Sequence, residues 1–221
     1  MDVRRRLYLS GLGRVISFAQ RMLSVFSRPF MVYGYYSQAD GKFRKLTRIS
    51  STASILNNEN LSVGDNVWVW HHTILDASNG IKIGKGTQIG AWVGIFTHSS
   101  HIAVRLYGGR SYIETPMEKR LGYVRAGVEI GEHCFIGAKA MIMPGVTIGK
   151  GCLIAAGALV NKSVPDFSIV VGNPGVIKGN TINLDKKYFK NEVVQDNYFS
   201  QDIILEYLAN VELTKKNIVA E

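Results

Sequence analysis

The sequence has few of the residues that mark several large classes of protein. Two cysteines in 221 residues cannot form a disulfide scaffold, which favours a reducing compartment. Five prolines and 23 glycines are too few for collagen, and a hydrophobic fraction of 46% is too high for a disordered chain. No apolar run approaches the roughly 18 to 20 residues of a membrane span. The apolar segment 7–18 is interrupted by Arg14 and no small-residue cleavage site follows it, so we expect no signal peptide and a soluble, cytoplasmic protein.

Acidic residues are also scarce. The chain has 26 Lys and Arg against 17 Asp and Glu, which gives a formal net charge of +9. Such a charge suits nucleic acid, an anionic membrane surface, or acidic and phosphate-rich substrates. The basic residues do not interleave with aromatic residues, and no zinc-knuckle, helix-turn-helix or RNP pattern is present. We therefore expect no nucleic-acid partner.

The chain does contain a six-residue repeat. An aliphatic residue recurs every six positions from Ile130 to Val160, and a small or slim residue follows each of them by four positions. The same two columns occur upstream, over 63–79 and 83–99. This spacing fits neither a helix nor simple strand alternation, but it fits short strands and tight turns, three of which close a triangular coil. Coils 18 or 20 residues long would stack at strand spacing with the aliphatic residues inside, which predicts an all-β solenoid.

The repeat divides the chain into three parts. Residues 1–48 are predicted to form an N-terminal helix and linker, residues 49–178 the solenoid, and residues 179–221 a C-terminal helix and tail. The N-terminal helix has an apolar stripe, which would pack on the solenoid or on a second copy, or contact an anionic membrane. An excursion over 101–127, rich in Arg and Tyr, interrupts the solenoid. Long excursions from a regular scaffold are usually functional.

The hexads, the segment 154–162 and the sequence Val171-Gly-Asn-Pro174 resemble the hexapeptide-repeat acyltransferases. The resemblance is strongest to the galactoside, maltose and polysaccharide O-acetyltransferase branch, and it covers residues 49–178. It implies a left-handed parallel β-helix and a homotrimer. It also implies that acetyl-CoA, the co-substrate, lies in a groove between adjacent subunits.

Two histidines at the start of the excursion are candidates for the general base. Acyl transfer to a hydroxyl needs a base that is largely unprotonated near pH 7, which suits His. His98 and His101 both qualify, although the resemblance would put the base at Ser100, five residues after the interior aliphatic residue. We favour His101, assuming an insertion of one residue. Two histidines without a third ligand do not predict a metal site, so we expect none.

The resemblance also implies the remaining site residues. It assigns the backbone N–H of Ala138 to the oxyanion of the tetrahedral intermediate. It places a polar group that positions the acceptor near His72 and Asp76, and the excursion adds Arg105 and Tyr107, which suit an extended and even anionic glycan. Coenzyme A would contact the following residues, of which the two lysines would meet its phosphates: Phe135, Gly137, Ala138, Ala156, Gly157, Lys162, Asn173, Pro174 and Lys178.

These features predict an acetyl-CoA-dependent O-acetyltransferase that acts on a sugar hydroxyl of a surface polysaccharide or of its precursor. In the reaction that the resemblance implies, the His-activated hydroxyl attacks the thioester directly. An N-acetyltransferase for nucleotide-linked sugars is an alternative, although no N-terminal nucleotide-binding βαβ unit is recognisable. A second alternative is a non-catalytic or metal-binding β-solenoid. We expect a cytoplasmic protein that associates with the inner membrane face if residues 1–30 contact lipid.

Overall fold

The computed structural model describes residues 10–24 and 28–219, and most of them wind into a three-sided parallel β-helix. Sheet A contains β1 (Met31–Ser37), β2 (Lys42–Ser50), β5 (Trp68–Val69), β8 (Gln88–Ile89), β13 (Phe135–Ile136), β16 (Leu153–Ile154), β18 (Ser168–Val171) and β19 (Val176–Asn180). Sheet B contains β3 (Ser54–Leu56), β6 (Ile74–Asp76), β9 (Gly94–Phe96), β14 (Met141–Ile142) and β17 (Leu159–Val160). Sheet C contains β4 (Leu61–Val63), β7 (Ile81–Ile83), β12 (Val128–Ile130) and β15 (Thr147–Ile148).

The aliphatic column of the hexads forms the core. Ile130 pairs with Ile148 and Ile136 with Ile154, so residues 18 apart lie above one another in consecutive coils. Ile130, Ile136 and Ile142 are at most 3% exposed. Each such side chain contributes about 1.5–3 kcal/mol when it leaves water. The inward direction predicted from the hexads is confirmed.

The small column also lies inside. Cys134 and Cys152 are both buried and both free. Each sulfur approaches a backbone carbonyl oxygen of the following coil, Cys134 Sγ at 3.0 Å from Gly149 O and Cys152 Sγ at 3.1 Å from Pro165 O. The two thiols therefore fill space between coils as small core groups.

The hexad glycines allow the coils to stack closely. A Cβ on Gly137 would lie 2.4 Å from the backbone nitrogen of Ala156 in the next coil. The residue with a left-handed backbone comes two positions after Gly137, at Lys139. In the next coil the equivalent residue is Gly157. A side chain at the first position would separate the coils, whereas the turn position has room outside.

The predicted linker before the solenoid is instead a β-hairpin. β1 and β2 pair antiparallel, and β2 continues in parallel register with β5, so that Ile49 lies beside Val69. Helix α1 (Gly11–Ser24) precedes the hairpin, and its apolar residues Leu12 and Val15 are about 60% exposed. Residues 1–9 and 25–27 of the predicted basic helix lie outside the described residues.

The excursion leaves the solenoid at the edge between sheets B and C. Strand β10 (His98–Ser99) leads out, strand β11 (Val124–Arg125) returns antiparallel to it, and helices α2 (Ala103–Tyr107) and α3 (Gly109–Glu114) lie between them. The coils stack across this insertion, because Ile89 in β8 pairs directly with Ile136 in β13. The scaffold therefore fixes where the excursion leaves the β-helix and where it returns.

The C-terminal segment contains more helix than predicted. Helix α4 (Thr181–Asp185) and helix α5 (Glu192–Asn197) precede α6 (Gln201–Val219), where the sequence predicts a single helix and a tail. Phe199 stacks on His133 with the ring centroids 4.6 Å apart, which packs this segment on the solenoid. Within the described part of the chain, no helix is both long enough and apolar enough to cross a membrane.

Candidate active site

The edge between sheets B and C brings together an acid, a histidine and a tyrosine. Asp76 ends β6, His98 follows β9 one coil later, and Tyr123 arrives with the returning end of the excursion. Asp76 lies in register with Phe96, which places it under the start of β10. Coil stacking therefore brings Asp76 close to His98, which is 22 positions later in the sequence, and the excursion adds Tyr123.

Asp76 and His98 form a close, shielded polar pair. The Nδ1 atom of His98 lies 2.6 Å from Oδ2 of Asp76, which is ion-pair distance. Both atoms are buried, and neither has another polar partner within the described residues. The Asp76 side chain is 2% exposed, whereas the His98 side chain is 38% exposed. The carboxylate thus lies behind the imidazole, and the imidazole faces solvent.

Local hydrogen bonds fix the carboxylate. Its Oδ1 atom accepts from the backbone N–H of Ser78 at 3.2 Å and from the Ser78 hydroxyl at 2.5 Å, an Asx turn. Thr97 Oγ1 donates to the backbone oxygen of Asp76 at 2.8 Å and accepts from the backbone N–H of Asn79 at 2.9 Å. Since one oxygen is occupied by Ser78, the other is available for His98.

The excursion covers His98 from the other side. The Tyr123 ring stacks on the imidazole with centroids 5.8 Å apart and planes 5° from parallel. The guanidinium of Arg125 lies 4.8 Å from the centroid of the Tyr123 ring. Burial raises the pKa of Tyr123, so its hydroxyl is neutral near pH 7. These residues and Asn79 line a cavity of about 400 Å³ into which His98 opens.

His101 lies outside this pair. Its Nδ1 atom is 2.8 Å from the hydroxyl of Ser99, and its side chain is exposed on the excursion. Arg105 donates to the His101 carbonyl oxygen. The hydroxyl of Tyr107 accepts from the backbone N–H of Leu121 at 2.8 Å, so it ties the excursion together. These groups therefore brace the loop that covers the cavity.

His72 is at the opposite edge of sheet B. It precedes β6, whereas Asp76 ends the same strand, so the two residues predicted to position the acceptor lie on different corners. The His72 ring contacts Trp92, with centroids 4.5 Å apart.

The residues predicted to hold coenzyme A begin at that same edge between sheets A and B. Ala138, Ala156 and Gly157 are exposed there in consecutive coils, while Gly137 is buried beneath Ala156. No group of the described residues accepts from the backbone N–H of Ala138. Phe135 is 48% exposed on the outer face of sheet A. Lys162, Asn173, Pro174 and Lys178 are exposed at and beyond the last coils.

Sequence reasoning missed several residues around His98. Ser78 and Asn79 anchor Asp76 and Thr97, and Tyr123 and Arg125 were noticed only as part of a basic, aromatic loop. The signal that could have found Ser78 is the Asp-x-Ser spacing of an Asx turn. Nothing in the sequence pairs Tyr123 with His98, because that contact depends on the path of the excursion. Among the residues that the structure describes, no cluster of three or more His, Cys, Asp or Glu side chains could hold a metal ion.

Comparison with known proteins identifies the repeat. Residues 127–162 match the family described as bacterial transferase hexapeptide (six repeats). Nodulation protein L of Rhizobium meliloti (strain 1021) is 36% identical over 122 residues, which make up 54% of this chain and 60% of that protein. The chain therefore spans less than two thirds of that relative.

Two solved structures are similar. A maltose O-acetyltransferase from Clostridium difficile 630 is 27% identical, with a TM-score of 0.48, over 59% of this chain and 64% of that one. AntD, an N-acyltransferase from Bacillus cereus in complex with dTDP and 3-hydroxybutyryl-CoA, is 22% identical, with a TM-score of 0.50, over 66% and 88%. The second likeness shows a shared fold. Residues 127–162 therefore carry the bacterial transferase hexapeptide repeat, and this repeat implies that the β-helix is left-handed.

Proposed function

We propose that this protein transfers an acetyl group from acetyl-CoA to a sugar hydroxyl, with His98 as the general base. The observation that carries the proposal is the Asp76–His98 pair, which opens into a cavity under the excursion. The transferase hexapeptide repeat and the resemblance to sugar O-acetyltransferases support the reaction class. The geometry favours His98 over His101, because only His98 has a buried carboxylate behind it.

The pair supplies a base with a defined free nitrogen. Because Nδ1 faces Asp76, the lone pair of Nε2 is directed away from the protein and can accept a proton from an acceptor hydroxyl. As that proton leaves, the hydroxyl oxygen attacks the thioester carbonyl carbon, and the C–S bond then breaks. The proton on Nε2 passes to the departing thiolate, which restores the neutral imidazole. General-base catalysis of this kind contributes about 10²- to 10⁴-fold.

The edge between sheets A and B suits the acyl donor. Ala138, Ala156 and Gly157 offer small side chains along an open ridge, so an extended arm can lie close to the backbone. The free N–H of Ala138 would donate to the oxyanion. Lys162 and Lys178 would meet the phosphates, and Asn173 with Pro174 would shape the end of the groove. Gly137 contributes indirectly, because it sets the distance between Ala138 and Ala156.

The two halves of this site require more than one copy of the chain. His98 and Ala138 lie at opposite edges of sheet B, on the order of 15 Å apart, because about five extended residues, the short strand and its flanking residues, span the sheet from corner to corner. The outer face of sheet B between them exposes the apolar side chains of Leu56, Ile74 and Met141, which are between 37% and 47% exposed. Burial of this face against a neighbouring copy would bring one copy's His98 toward the other's Ala138. This supports the homotrimer that the resemblance implies.

The acceptor in this proposal is a surface polysaccharide or its lipid-linked precursor. Helix α1 supports membrane proximity, because Leu12, Val15 and Phe18 are exposed and no acidic residue occurs between positions 3 and 39. Contact with an anionic inner membrane face is accordingly part of the proposal, and so is a cytoplasmic location. N-acetylation of a nucleotide-linked amino sugar is the alternative, decided by which acceptor gains the acetyl group.

The test compares two histidine variants. His98→Ala is expected to lower kcat by at least 100-fold in coenzyme A release with a panel of hexopyranosides and amino sugars. His101→Ala is the matched control and should stay within about threefold, because its imidazole is exposed and its polar partner among the described residues is the Ser99 hydroxyl. Circular dichroism and thermal shift with coenzyme A confirm folding of both variants. A large loss in the control with little loss in His98→Ala would move the base to His101.

A further inference from the structure

A row of exposed aromatic rings runs along the edge between sheets A and B. The Trp70 and His71 rings meet edge to face with centroids 5.5 Å apart, and His71 and His72 follow at 6.4 Å. His72 then lies against Trp92 at 4.5 Å with the planes 33° apart. Trp92 is 58% exposed and Trp70 40% exposed. Large apolar rings left in water at a corner of the scaffold mark a contact surface.

Two residues of the row, His72 and Trp92, occupy turn positions with a left-handed backbone. His72 and Trp92 have φ angles of 59° and 64°, in the left-handed region, where the last coil has Gly157. Asn66, His133 and Lys139 have the same left-handed backbone, so this conformation belongs to turns of the β-helix in general. In the row, this turn conformation directs the two side chains outward, away from the aliphatic core.

The rings are oriented and have free polar edges. His71 Nδ1 lies 2.7 Å from the Ser50 hydroxyl, and the backbone N–H of Trp92 donates to the His71 carbonyl at 3.0 Å. Trp68, nearby on sheet A, has its indole N–H bonded to Asn66. By contrast, the indole N–H groups of Trp70 and Trp92 have no partner among the described residues. The row therefore offers apolar faces together with unused donors.

The row continues the ridge assigned to the acyl donor. The backbone N–H of Lys139, next to Ala138, donates to the carbonyl of Ala91, next to Trp92, at 2.9 Å. Trp92 is consequently one coil beyond Ala138, on the side away from Ala156 and the coenzyme A groove. Trp92 thus lies where an acceptor molecule would have to bind in order to reach the thioester from the end of the ridge opposite to coenzyme A.

We propose that Trp92, His72 and Trp70 form a carbohydrate platform that stacks on the pyranose ring of the acceptor. A pyranose presents C–H groups on one face, which suit the electron-rich face of an indole, and hydroxyls at its rim, which suit the free N–H donors. Its identification as the acceptor subsite rests on the proposed function. The platform itself rests on the exposed rings alone.

The test measures sugar binding without turnover. Maltose and methyl β-galactopyranoside are titrated into the full chain by calorimetry, in wild type, Trp92→Ala, Trp92→Phe and the control Trp68→Phe. We expect Trp92→Ala to weaken sugar binding at least tenfold and Trp92→Phe to retain most of it, because a ring face remains. Trp68→Phe should bind as wild type does. Coenzyme A binding should stay within twofold in all variants.

Three results would overturn the platform. They are no binding of either sugar to wild type, equal binding by Trp92→Ala, or a changed mass of Trp92→Ala in light scattering, which would make the row a contact between copies. The proposed function fails separately. Sugar binding that depends on Trp92, without acetyl transfer to any acceptor, would refute the transferase and leave the platform standing. Acetyl transfer with an unchanged acceptor KM in Trp92→Ala would refute only the platform.

Discussion

Replacement of Asp76 by asparagine tests whether the carboxylate directs the histidine. Asp76 is almost completely buried, and Ser78 occupies its Oδ1 atom, so an asparagine at this position would keep its oxygen toward Ser78. Its NH₂ group would then face Nδ1 of His98, which must become an acceptor. The imidazole proton would move to Nε2, and the nitrogen that should take the acceptor proton would already carry one.

The expected size of the effect follows from that tautomer change. Loss of general-base catalysis lowers kcat by about 10²- to 10⁴-fold, and the substitution Asp→Asn in a Ser-His-Asp triad lowers it by about 10⁴-fold. We expect Asp76→Asn to fall in this range with KM values within a few-fold, because the shape of the site is kept. In a His98→Ala background the same change should cost little more, since residues that act as one unit are not additive.

The assay is coenzyme A release under saturating donor and acceptor, with folding checked by circular dichroism. Asp76→Asn with kcat within threefold of wild type would refute the role of the carboxylate. A loss that adds fully to that of His98→Ala would show that Asp76 acts elsewhere.

Three further predictions concern the scaffold and the excursion. Gly137→Ala should destabilise the fold by about 1–3 kcal/mol in urea melts, because the new Cβ meets the backbone of the next coil; Gly157→Ala, with open space around it, should cost roughly 1 kcal/mol. Tyr123→Ala should lower kcat about tenfold with little change in KM, as the ring that positions His98 is lost, while Tyr123→Phe should stay within threefold; equal losses would point to the hydroxyl instead. Burial lowers the pKa of His133, so the unfolded chain binds its proton more tightly and stability falls as pH drops below about 6.5. His133→Phe should therefore flatten urea-melt stability between pH 5 and pH 8, and an unchanged slope would exclude this residue as the source.

The solenoid was predictable because its signal is periodic. Each hexad places one aliphatic residue inside, and Ile136 and Ile154 obey the rule wherever the coil is regular. The hairpin of β1 and β2 has no hexads. Its aromatic residues, such as Tyr33 and Phe43, are exposed, so the sequence contains no regular pattern of buried positions that would predict these strands. Antiparallel strands without alternating burial leave little trace in a single sequence.

The site was only partly predictable. His98 was a candidate for the base and Asp76 a candidate for positioning the acceptor. Their contact was not predicted, because the expected position of the base came from the spacing in related proteins and not from the stacking of the coils. The coil length of 20 residues puts Asp76 beside Phe96, two positions before His98, so the contact was within reach of the sequence. The stacking of Tyr123 was not, since the path of the 24 residues between His98 and Tyr123 decides where its ring returns.

The excursion enters and leaves the β-helix at one edge without shifting the register of the coils around it. Ile89 meets Ile136 as directly as Val69 meets Ile89. Lengthening, trimming or exchanging those residues would therefore leave the prism intact. Substrate preference in such an architecture can diverge by swapping a surface insert, while the framework that aligns the reactants is inherited unchanged.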